Sequence, residues 1–310
     1  MFYWILWSIS FIALSVTVAK YTQIDCFYRF TKGSNYLNNG FYEGATQEFS
    51  FVINKQPKND KAYYKKALAY YYLERPLASI KSFNDAILIN PNDCSYYVGR
   101  ANSYAKVFKY TDAMNDFNKA IELKPDLAVN YYNRGLALLE QNKHEDAILD
   151  FEKAINIEQE NPLNYYSRAI AYLETGNYDL AIYDFDYVEK IDPKYTNTYI
   201  NRGLAYYDLG EVYNAHKDFN KAVKLDPRNH YCYYLRGVVY LELEEYYKAM
   251  EDFNKALTIN PDHMESYLRR GDCFYVYQDN DNAREDWIIA QKMGSDEAKE
   301  NLEKYFGLKL

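Results

Sequence analysis

The sequence predicts an all-α chain, a solenoid built from eight pairs of helices. Three observations support this prediction. A 34-residue period runs through residues 26–297 without any insertion, small and aromatic residues recur at fixed positions of that period, and proline recurs near its end. A repeat of this length encodes one helix–turn–helix unit that stacks on its neighbours. The 310 residues therefore need not divide into independent globular domains.

Residues 2–19 form the first element of the chain, and these eighteen residues carry no charge. At about 1.5 Å per residue, a helix of this length spans roughly 27 Å, close to the hydrocarbon thickness of a bilayer. Phe2, Tyr3, Trp4 and Trp7 crowd one end of the segment, as in the aromatic belt at a membrane interface. We therefore expect an N-terminal hydrophobic helix that acts as a single transmembrane anchor.

Two other interpretations of this segment stay open, a cleaved signal peptide and a buried hydrophobic helix. Residues 17–19 resemble a weak cleavage site, but no Lys or Arg precedes the apolar run, as a signal peptide normally requires. Lys20, Arg29 and Lys32 follow the segment. By the positive-inside rule they favour a single-pass membrane protein with a cytoplasmic repeat array. If the segment is removed, the protein is instead secreted or periplasmic.

Residues 20–25 are expected to form a short linker, after which the eight repeats follow in register from residue 26 to residue 297. Extended, this linker reaches roughly 20 Å, so an anchored array lies against the membrane surface. The repeats begin at Cys26, Asp60, Cys94, Ala128, Pro162, Thr196, His230 and Met264.

Several fixed positions define the two helices of each repeat. Position 8 is always Gly or Ala, position 20 is Ala in seven repeats and Ser in one, and position 24 is Phe in seven repeats and Trp in the eighth. Small residues allow two helices to approach closely, and aromatic side chains fill the space beside them. Gly40, Gly176 and Gly210 at position 15 suit a left-handed helix end. Proline at position 32 of six repeats ends the second helix.

These spacings resemble the tetratricopeptide repeat (TPR) family, whose members share the 34-residue period and the small, aromatic and proline positions. The resemblance covers residues 26–297. It implies a right-handed α-superhelix with a concave and a convex face, which holds peptides or protein partners. Arg29 at position 4, and Gln159 and Ser295 in place of proline, depart from the family pattern.

The chain after the last repeat carries the pattern of a capping helix. Ser295 or Asp296 can open such a helix, and Ala298 and Leu302 share one of its faces. Terminal repeats of an array are often atypical because they must present a polar outer face. We therefore expect residues 298–310 to form a C-terminal capping helix and tail.

Two charged positions recur with the period of the repeat. Position 7 is basic in all eight repeats, and position 23 is acidic in seven, with Ser82 as the exception. A basic row can bind phosphate or acidic peptides, but two charges with one period are more simply partners across the two helices. We therefore interpret the rows as bidentate Arg–Asp pairs that fix the register of the helices.

The resemblance places the partner-binding groove on the first helix of each repeat, at positions 2, 5, 9, 12 and 13. In repeats four to seven, positions 5, 9 and 12 are apolar or aromatic and position 13 is acidic. An exposed apolar stripe of this length marks an interaction site, and the acidic row beside it favours a basic partner. The predicted groove residues are Tyr132, Leu136, Leu139, Glu140, Tyr166, Ile170, Leu173, Glu174, Ile200, Leu204, Tyr207, Asp208, Tyr234, Val238, Leu241 and Glu242.

We expect the partner to be a protein or peptide segment, apolar or amphipathic, with basic residues. The chain would then act as a non-catalytic scaffold at a membrane. Two alternatives stay open for the groove. Neighbouring repeats can bury its side chains, or a terminus of this protein can fill it. If the terminus belongs to a second copy of the chain, the protein is a self-associating structural protein.

Composition and motifs exclude several other functions. The net charge is −8, whereas nucleic-acid binding needs clustered Lys and Arg. No two of the four cysteines are spaced as CxxC, and none of the four histidines belongs to an HExxH pattern. No metal site is therefore expected. Neither a phosphate-binding glycine loop nor a nucleophile motif occurs. The sequence therefore predicts no enzyme, no cofactor and no small-molecule substrate.

Overall fold

The computed structural model describes residues 21–308, and every regular element in this range is an α-helix. The chain divides into two compact units, Met1–Gln159 and Glu160–Leu310. The described residues form eight helices in the first unit and nine in the second, and contain no strand. The prediction of an all-α chain is therefore confirmed. The hydrophobic helix expected at residues 2–19 lies outside the described residues.

The first unit is a series of helical hairpins. Its first helix, α1, includes residues 21–38. The helices that follow are α2 (Tyr42–Lys55), α3 (Asp60–Tyr72), α4 (Pro76–Ile89), α5 (Cys94–Ala105), α6 (Tyr110–Leu123), α7 (Ala128–Leu139) and α8 (His144–Ile157).

The second unit continues the same alternation of first and second helices. Each first helix begins at the residue where the sequence period begins a repeat. The helices are α9 (Pro162–Glu174), α10 (Tyr178–Ile191), α11 (Thr196–Asp208), α12 (Val212–Leu225), α13 (His230–Glu242), α14 (Tyr246–Ile259), α15 (Met264–Val276), α16 (Asn280–Lys292) and α17 (Asp296–Phe306).

Residues 21–25, which with Lys20 we expected to form a short linker, are helical and belong to α1. Arg29 Nε lies 3.3 Å from Asp25 Oδ1, one helical turn away. An ion pair at this spacing favours the helix that contains it. Within the described range, the first repeat is therefore preceded by helical residues.

A residue in the left-handed conformation ends the first helix of every repeat. Gly40, Gly176 and Gly210 have φ angles of 79°, 72° and 75°, as glycine at this position predicts. The other five repeats place a side chain at the same position, at a conformational cost of about 1–2 kcal/mol each. These residues are Glu74, Phe108, Asn142, Glu244 and Gln278, with φ between 55° and 61°. The hairpin imposes this turn whether or not glycine is present.

The core of each hairpin is the contact between the small residue at position 8 and the aromatic ring at position 24. A Cβ atom added to Gly135 would lie 2.7 Å from Phe151 Cε1, and one added to Gly203 would lie 2.6 Å from Phe219 Cε1. The absence of a side chain lets the ring lie directly on the first helix. Position 8 is alanine in the repeats of Phe83, Phe117 and Phe185, and the ring at position 24 is fully buried in all eight repeats: Phe49, Phe83, Phe117, Phe151, Phe185, Phe219, Phe253 and Trp287.

The charges predicted to pair at positions 7 and 23 do form ion pairs within the hairpins. Arg236 Nε and Nη2 donate to the two carboxylate oxygens of Asp252, at 2.8 and 2.7 Å. In the first repeat, Lys32 Nζ lies 2.6 Å from Glu48 Oε1. The other bidentate pairs are Arg100–Asp116, Arg134–Asp150, Arg168–Asp184, Arg202–Asp218 and Arg270–Asp286. The structural interpretation of these rows is confirmed.

The remaining donor of these arginines reaches the repeat before. Arg134 Nη1 donates to Asn118 Oδ1 at 2.6 Å, and Arg236 Nη1 donates to Asn220 Oδ1 at 2.7 Å. One guanidinium therefore joins its own helix to the second helices of two consecutive repeats. The same bond is made by Arg100 to Asn84, Arg202 to Asp186 and Arg270 to Asn254.

Helix α17 covers the last repeat of the second unit. Ser295 Oγ accepts a hydrogen bond from the Ala298 N–H at 3.1 Å and so caps the helix. Ala298 and Leu302 are fully buried against a cluster that contains Trp287. The helix begins at Asp296, two residues before the segment that we expected. Its exposed residues are polar apart from Tyr305, as suits the end of a stack.

We expect Asp252→Asn to destabilise the protein by roughly 3 kcal/mol, because it leaves the largely buried guanidinium of Arg236 without a carboxylate. The midpoint of urea unfolding, followed by circular dichroism, measures the change. Glu251→Gln, at the exposed neighbouring position of the same helix, is the matched control and should leave the midpoint unchanged. Equal midpoints for the two variants would show that the pairs do not stabilise the fold.

Candidate functional site

The apolar groove residues predicted in repeats five to seven lie on the first helices of the second unit, but they are not exposed. Ile200 is buried and the other eight are half-buried. This differs from the exposed stripe that we expected, because each side chain also packs on a core cluster. The nine residues are Tyr166, Ile170, Leu173, Ile200, Leu204, Tyr207, Tyr234, Val238 and Leu241.

The acidic residues predicted beside this row are exposed, and each is the last residue of a first helix. Glu174 ends α9, Asp208 ends α11 and Glu242 ends α13. The C-terminus of a helix carries a partial negative charge, which carboxylates increase and cations offset. The second unit therefore presents three carboxylates at three helix ends where helix stability alone favours basic residues.

Hydrogen bonds link neighbouring first helices across this face. Asn201 Nδ2 donates to Tyr166 Oη at 2.7 Å, which joins α11 to α9. Tyr207 Oη donates to Glu242 Oε1 at 3.1 Å, which joins α11 to α13. Burial raises the pKa of Tyr207, and the charge of Glu242 raises it further, so the hydroxyl stays protonated and able to donate. These bonds hold the rows on successive helices in register.

A basic residue near this face already has acidic partners. Arg269, on α15, donates to both carboxylate oxygens of Glu297 at 2.7 and 2.9 Å and to Asp272 Oδ2 at 2.9 Å. It thereby links the last repeat to α17. Its charge is neutralised within the fold, and Glu174 and Asp208 form no ion pair with a residue in the described range.

The groove residues predicted in repeat four belong to the first unit. Leu136 and Glu140 line a pocket of about 510 Å³. Tyr132 packs instead on the ring of Phe151, with 5.9 Å between the ring centroids. Leu139 is half-buried and is not among the residues that line the pocket. The structure therefore brings only two of these four residues into one concave site.

Eight residues that line this pocket were not among the predicted groove residues: Tyr71, Asn102, Ala105, Lys106, Phe108, Tyr110, Asn133 and Ala137. Lys106 Nζ lies 5.4 Å from the centroid of the Tyr71 ring. Phe108 is 79% exposed and adopts the left-handed conformation at position 15. A phenylalanine where the other repeats place glycine or a polar residue was the signal that could have found this site.

The described residues contain no cluster of His, Cys, Asp and Glu side chains that could hold a metal ion. The four cysteines are buried. Burial raises the pKa of Cys232 to about 11 and that of Cys273 to about 12. Because the thiolate is the reactive form, these two residues are suited to packing rather than to nucleophilic chemistry.

We expect Ellman's reagent to leave Cys232 and Cys273 unmodified in the folded protein at about pH 8 and to modify both in concentrated guanidinium, where the thiols lose their burial. Mass spectrometry of digested protein locates the modified residues. A cysteine introduced at the exposed position Glu251 serves as a positive control and should react at once. Rapid modification of the two native thiols in the folded protein would contradict their assignment to the closed core.

No helix within residues 21–308 is long and apolar enough to cross a bilayer. The anchor predicted at residues 2–19 lies outside this range.

Three family models match the chain, and each describes a tetratricopeptide repeat. The first matches residues 196–229 and 230–263, the second matches 109–141 and 135–176, and the third matches 60–93. Together these ranges make up more than half of the chain. No curated protein matches the sequence significantly.

Two solved structures with similar folds are described as tetratricopeptide repeat proteins. A tetratricopeptide repeat protein from Parabacteroides merdae is 20% identical, with a TM-score of 0.58 over 79% of this chain and 97% of that one. YrrB, described as a TPR protein with an unusual peptide-binding site, is 27% identical, with a TM-score of 0.52 over 60% of this chain and 96% of that one. Both likenesses agree with the packing of the helical hairpins.

Proposed function

We propose that this chain, which belongs to the tetratricopeptide repeat family, is a non-catalytic scaffold that binds a basic, amphipathic segment of a partner protein. The observation that carries the proposal is the row of exposed carboxylates at the ends of α9, α11 and α13, beside a half-buried apolar row. Proteins of this family commonly mediate protein–protein interactions. YrrB, 27% identical, is described as having a peptide-binding site.

The acidic row supports a basic partner because helix stability does not favour carboxylates at these positions. Glu174 and Asp208 end helices at which a carboxylate is unfavourable, and Glu242 accepts only a hydrogen bond from Tyr207. A cation supplied by the partner offsets both the carboxylate and the helix dipole. The apolar atoms that remain accessible on Ile170 and Leu204 can then contact the apolar side of the same segment.

In the first unit the proposed site consists of the repeat-four residues, of which Leu136 and Glu140 line the pocket. Glu140 and Lys106 both line this pocket, so the lining carries both signs of charge. Leu136 and the exposed ring of Phe108 supply its apolar surface. This arrangement favours a partner side chain that is apolar with a polar end.

Charge reversal of the acidic row tests the proposal without disturbing the core. We expect the triple variant Glu174→Lys, Asp208→Lys, Glu242→Lys to weaken binding of a synthetic amphipathic Lys/Leu helix by at least about tenfold, since charged partners across an interface determine which partner binds. Fluorescence anisotropy of the labelled peptide at low salt measures the affinity.

The matched control is the variant Asp179→Lys, Glu251→Lys, Glu285→Lys, which makes the same change of net charge at exposed positions on second helices. It should retain most of the affinity, and a Glu/Leu peptide should not bind the wild-type protein. If the two triple variants lose affinity equally, only net charge attracts the peptide and the assignment of the groove is wrong. Circular dichroism verifies that both variants fold.

We further propose that residues 2–19 hold this scaffold at a membrane as a single-pass anchor with a cytoplasmic array. The absence of charge from this segment and its length support the proposal. The alternative is a soluble, secreted or periplasmic adaptor that has lost the segment as a signal peptide.

We expect the protein purified from native membranes to have the mass of the uncleaved chain, 36.7 kDa, because residues 1–19 remain attached. Intact-mass spectrometry measures this directly, and resistance to extraction by alkaline carbonate shows whether the chain is embedded. A mass lower by residues 1–19, together with release into the soluble fraction, would favour the secreted adaptor.

A further inference from the structure

The beginning of α1 carries an apolar surface that no described residue covers. Tyr21, Ile24, Phe27 and Tyr28 are 70%, 56%, 73% and 63% exposed. They lie three or four residues apart, so they share one side of the helix. We call these four residues the entry face, because the chain enters the first repeat here from residue 20.

The entry face lies on the side of the first repeat on which no described helix packs. Tyr28 occupies position 3 of its repeat, and this position is buried in every other repeat. Asn130 shows why: its Nδ2 donates to the carbonyl oxygen of Ala120, on the second helix of the repeat before, at 3.1 Å. Tyr28 has no described helix on that side. The buried counterparts of Tyr28 are Ala62, Tyr96, Asn130, Asn164, Thr198, Cys232 and Ser266.

Three lysines are exposed at the same end of the first hairpin. The Arg29 guanidinium lies 4.0 Å from the centroid of the Phe51 ring, so the beginning of α1 lies beside the end of α2. Lys55 ends α2, Lys58 follows in the turn, and Lys61 lies in the first turn of α3. None of these lysines forms an ion pair with a residue in the described range.

The acidic groups nearby are already engaged. Asp25 pairs with Arg29, and Asp60 accepts hydrogen bonds from Asn90 and from Tyr96. Residues 21–66 contain seven basic and four acidic side chains, a net charge of +3, whereas the whole chain has a net charge of −8. The entry face is therefore apolar, aromatic and rimmed by unpaired positive charge in a protein that is otherwise acidic.

We propose that the entry face lies on the surface of a membrane that contains anionic lipids. Tyr and Phe side chains favour the interface between hydrocarbon and water, and exposed lysines are attracted to anionic headgroups. This inference rests on the proposed anchor at residues 2–19, which ends two residues before Tyr21. The helical residues 21–25 then hold the first repeat against the bilayer in one orientation.

A second copy of the chain is a less suitable occupant. A symmetric pair of entry faces would bring two sets of Lys55, Lys58 and Lys61 together, and like charges at an interface oppose association. A lipid surface satisfies the apolar side chains and the lysines at the same time.

The test uses the full chain reconstituted into vesicles of phosphatidylcholine, with or without phosphatidylserine, and an environment-sensitive NBD fluorophore at Phe27→Cys. The native cysteines are buried, so the introduced thiol is labelled selectively. In vesicles with phosphatidylserine we expect the emission of NBD to shift to shorter wavelength and to be quenched by lipids that carry nitroxides in their acyl chains. Vesicles of phosphatidylcholine alone should show a smaller docked fraction.

The variant Lys55→Glu, Lys58→Glu, Lys61→Glu should reduce the docking equilibrium by roughly fivefold or more for each lysine. The matched control, Lys217→Glu, Lys221→Glu, Lys224→Glu, changes exposed lysines of α12 and should leave docking unchanged. Equal docking of both variants would overturn the role of the lysines.

Vesicle flotation distinguishes failure of this inference from failure of the anchor. If the chain floats with vesicles but the fluorophore remains in water, the entry face does not dock and the anchor stands. If the chain does not float, the anchor itself is absent and the inference falls with it. If the fluorophore is shielded in detergent only at high protein concentration, with a dimer in sedimentation, a second copy covers the face and the lipid assignment is wrong.

Discussion

The guanidinium group at position 7 is the interaction on which the stacking of this protein depends. Arg236 Nε and Nη2 donate to the two carboxylate oxygens of Asp252, and Nη1 donates to Asn220 Oδ1. One planar guanidinium on α13 is therefore bonded to α14 and to α12. Lysine cannot make this bidentate contact. The second repeat illustrates the point, because Lys66 faces Ser82 there instead of a carboxylate. Burial lowers the pKa of Lys66.

The period of the sequence was sufficient to predict the helices and the pairs within a hairpin. Position 8 and position 24 are complementary in size, and position 7 and position 23 are complementary in charge, so each half of a contact indicates the other. The bond to the preceding repeat was missed, although position 25 signals it. Position 25 is polar in repeats one to seven. In repeat eight it is Ile288, which packs on the cluster that includes the C-terminal helix.

The candidate site was harder to predict, because the sequence period shows which face of a helix a side chain lies on but not how far neighbouring helices bury it. Ile170 and Val238 do lie on the first helices, as the pattern indicated, yet neighbouring side chains cover most of each. The pocket of the first unit is built partly from the turn at Phe108, where the hairpin forces an aromatic residue into a conformation that favours glycine. Periodicity describes helix faces well, but it carries little information about turns.

The arginine pairs also determine which charges are free to act. Six arginines and their aspartates neutralise one another within the fold, so they contribute little to the surface potential. The charges that remain are distributed unevenly: residues 21–66 carry a net charge of +3, whereas the first helices of repeats five to seven end in exposed carboxylates. On the two proposals above, the lysines at the entry face attract anionic lipid, and the carboxylates at the ends of α9, α11 and α13 attract a basic partner.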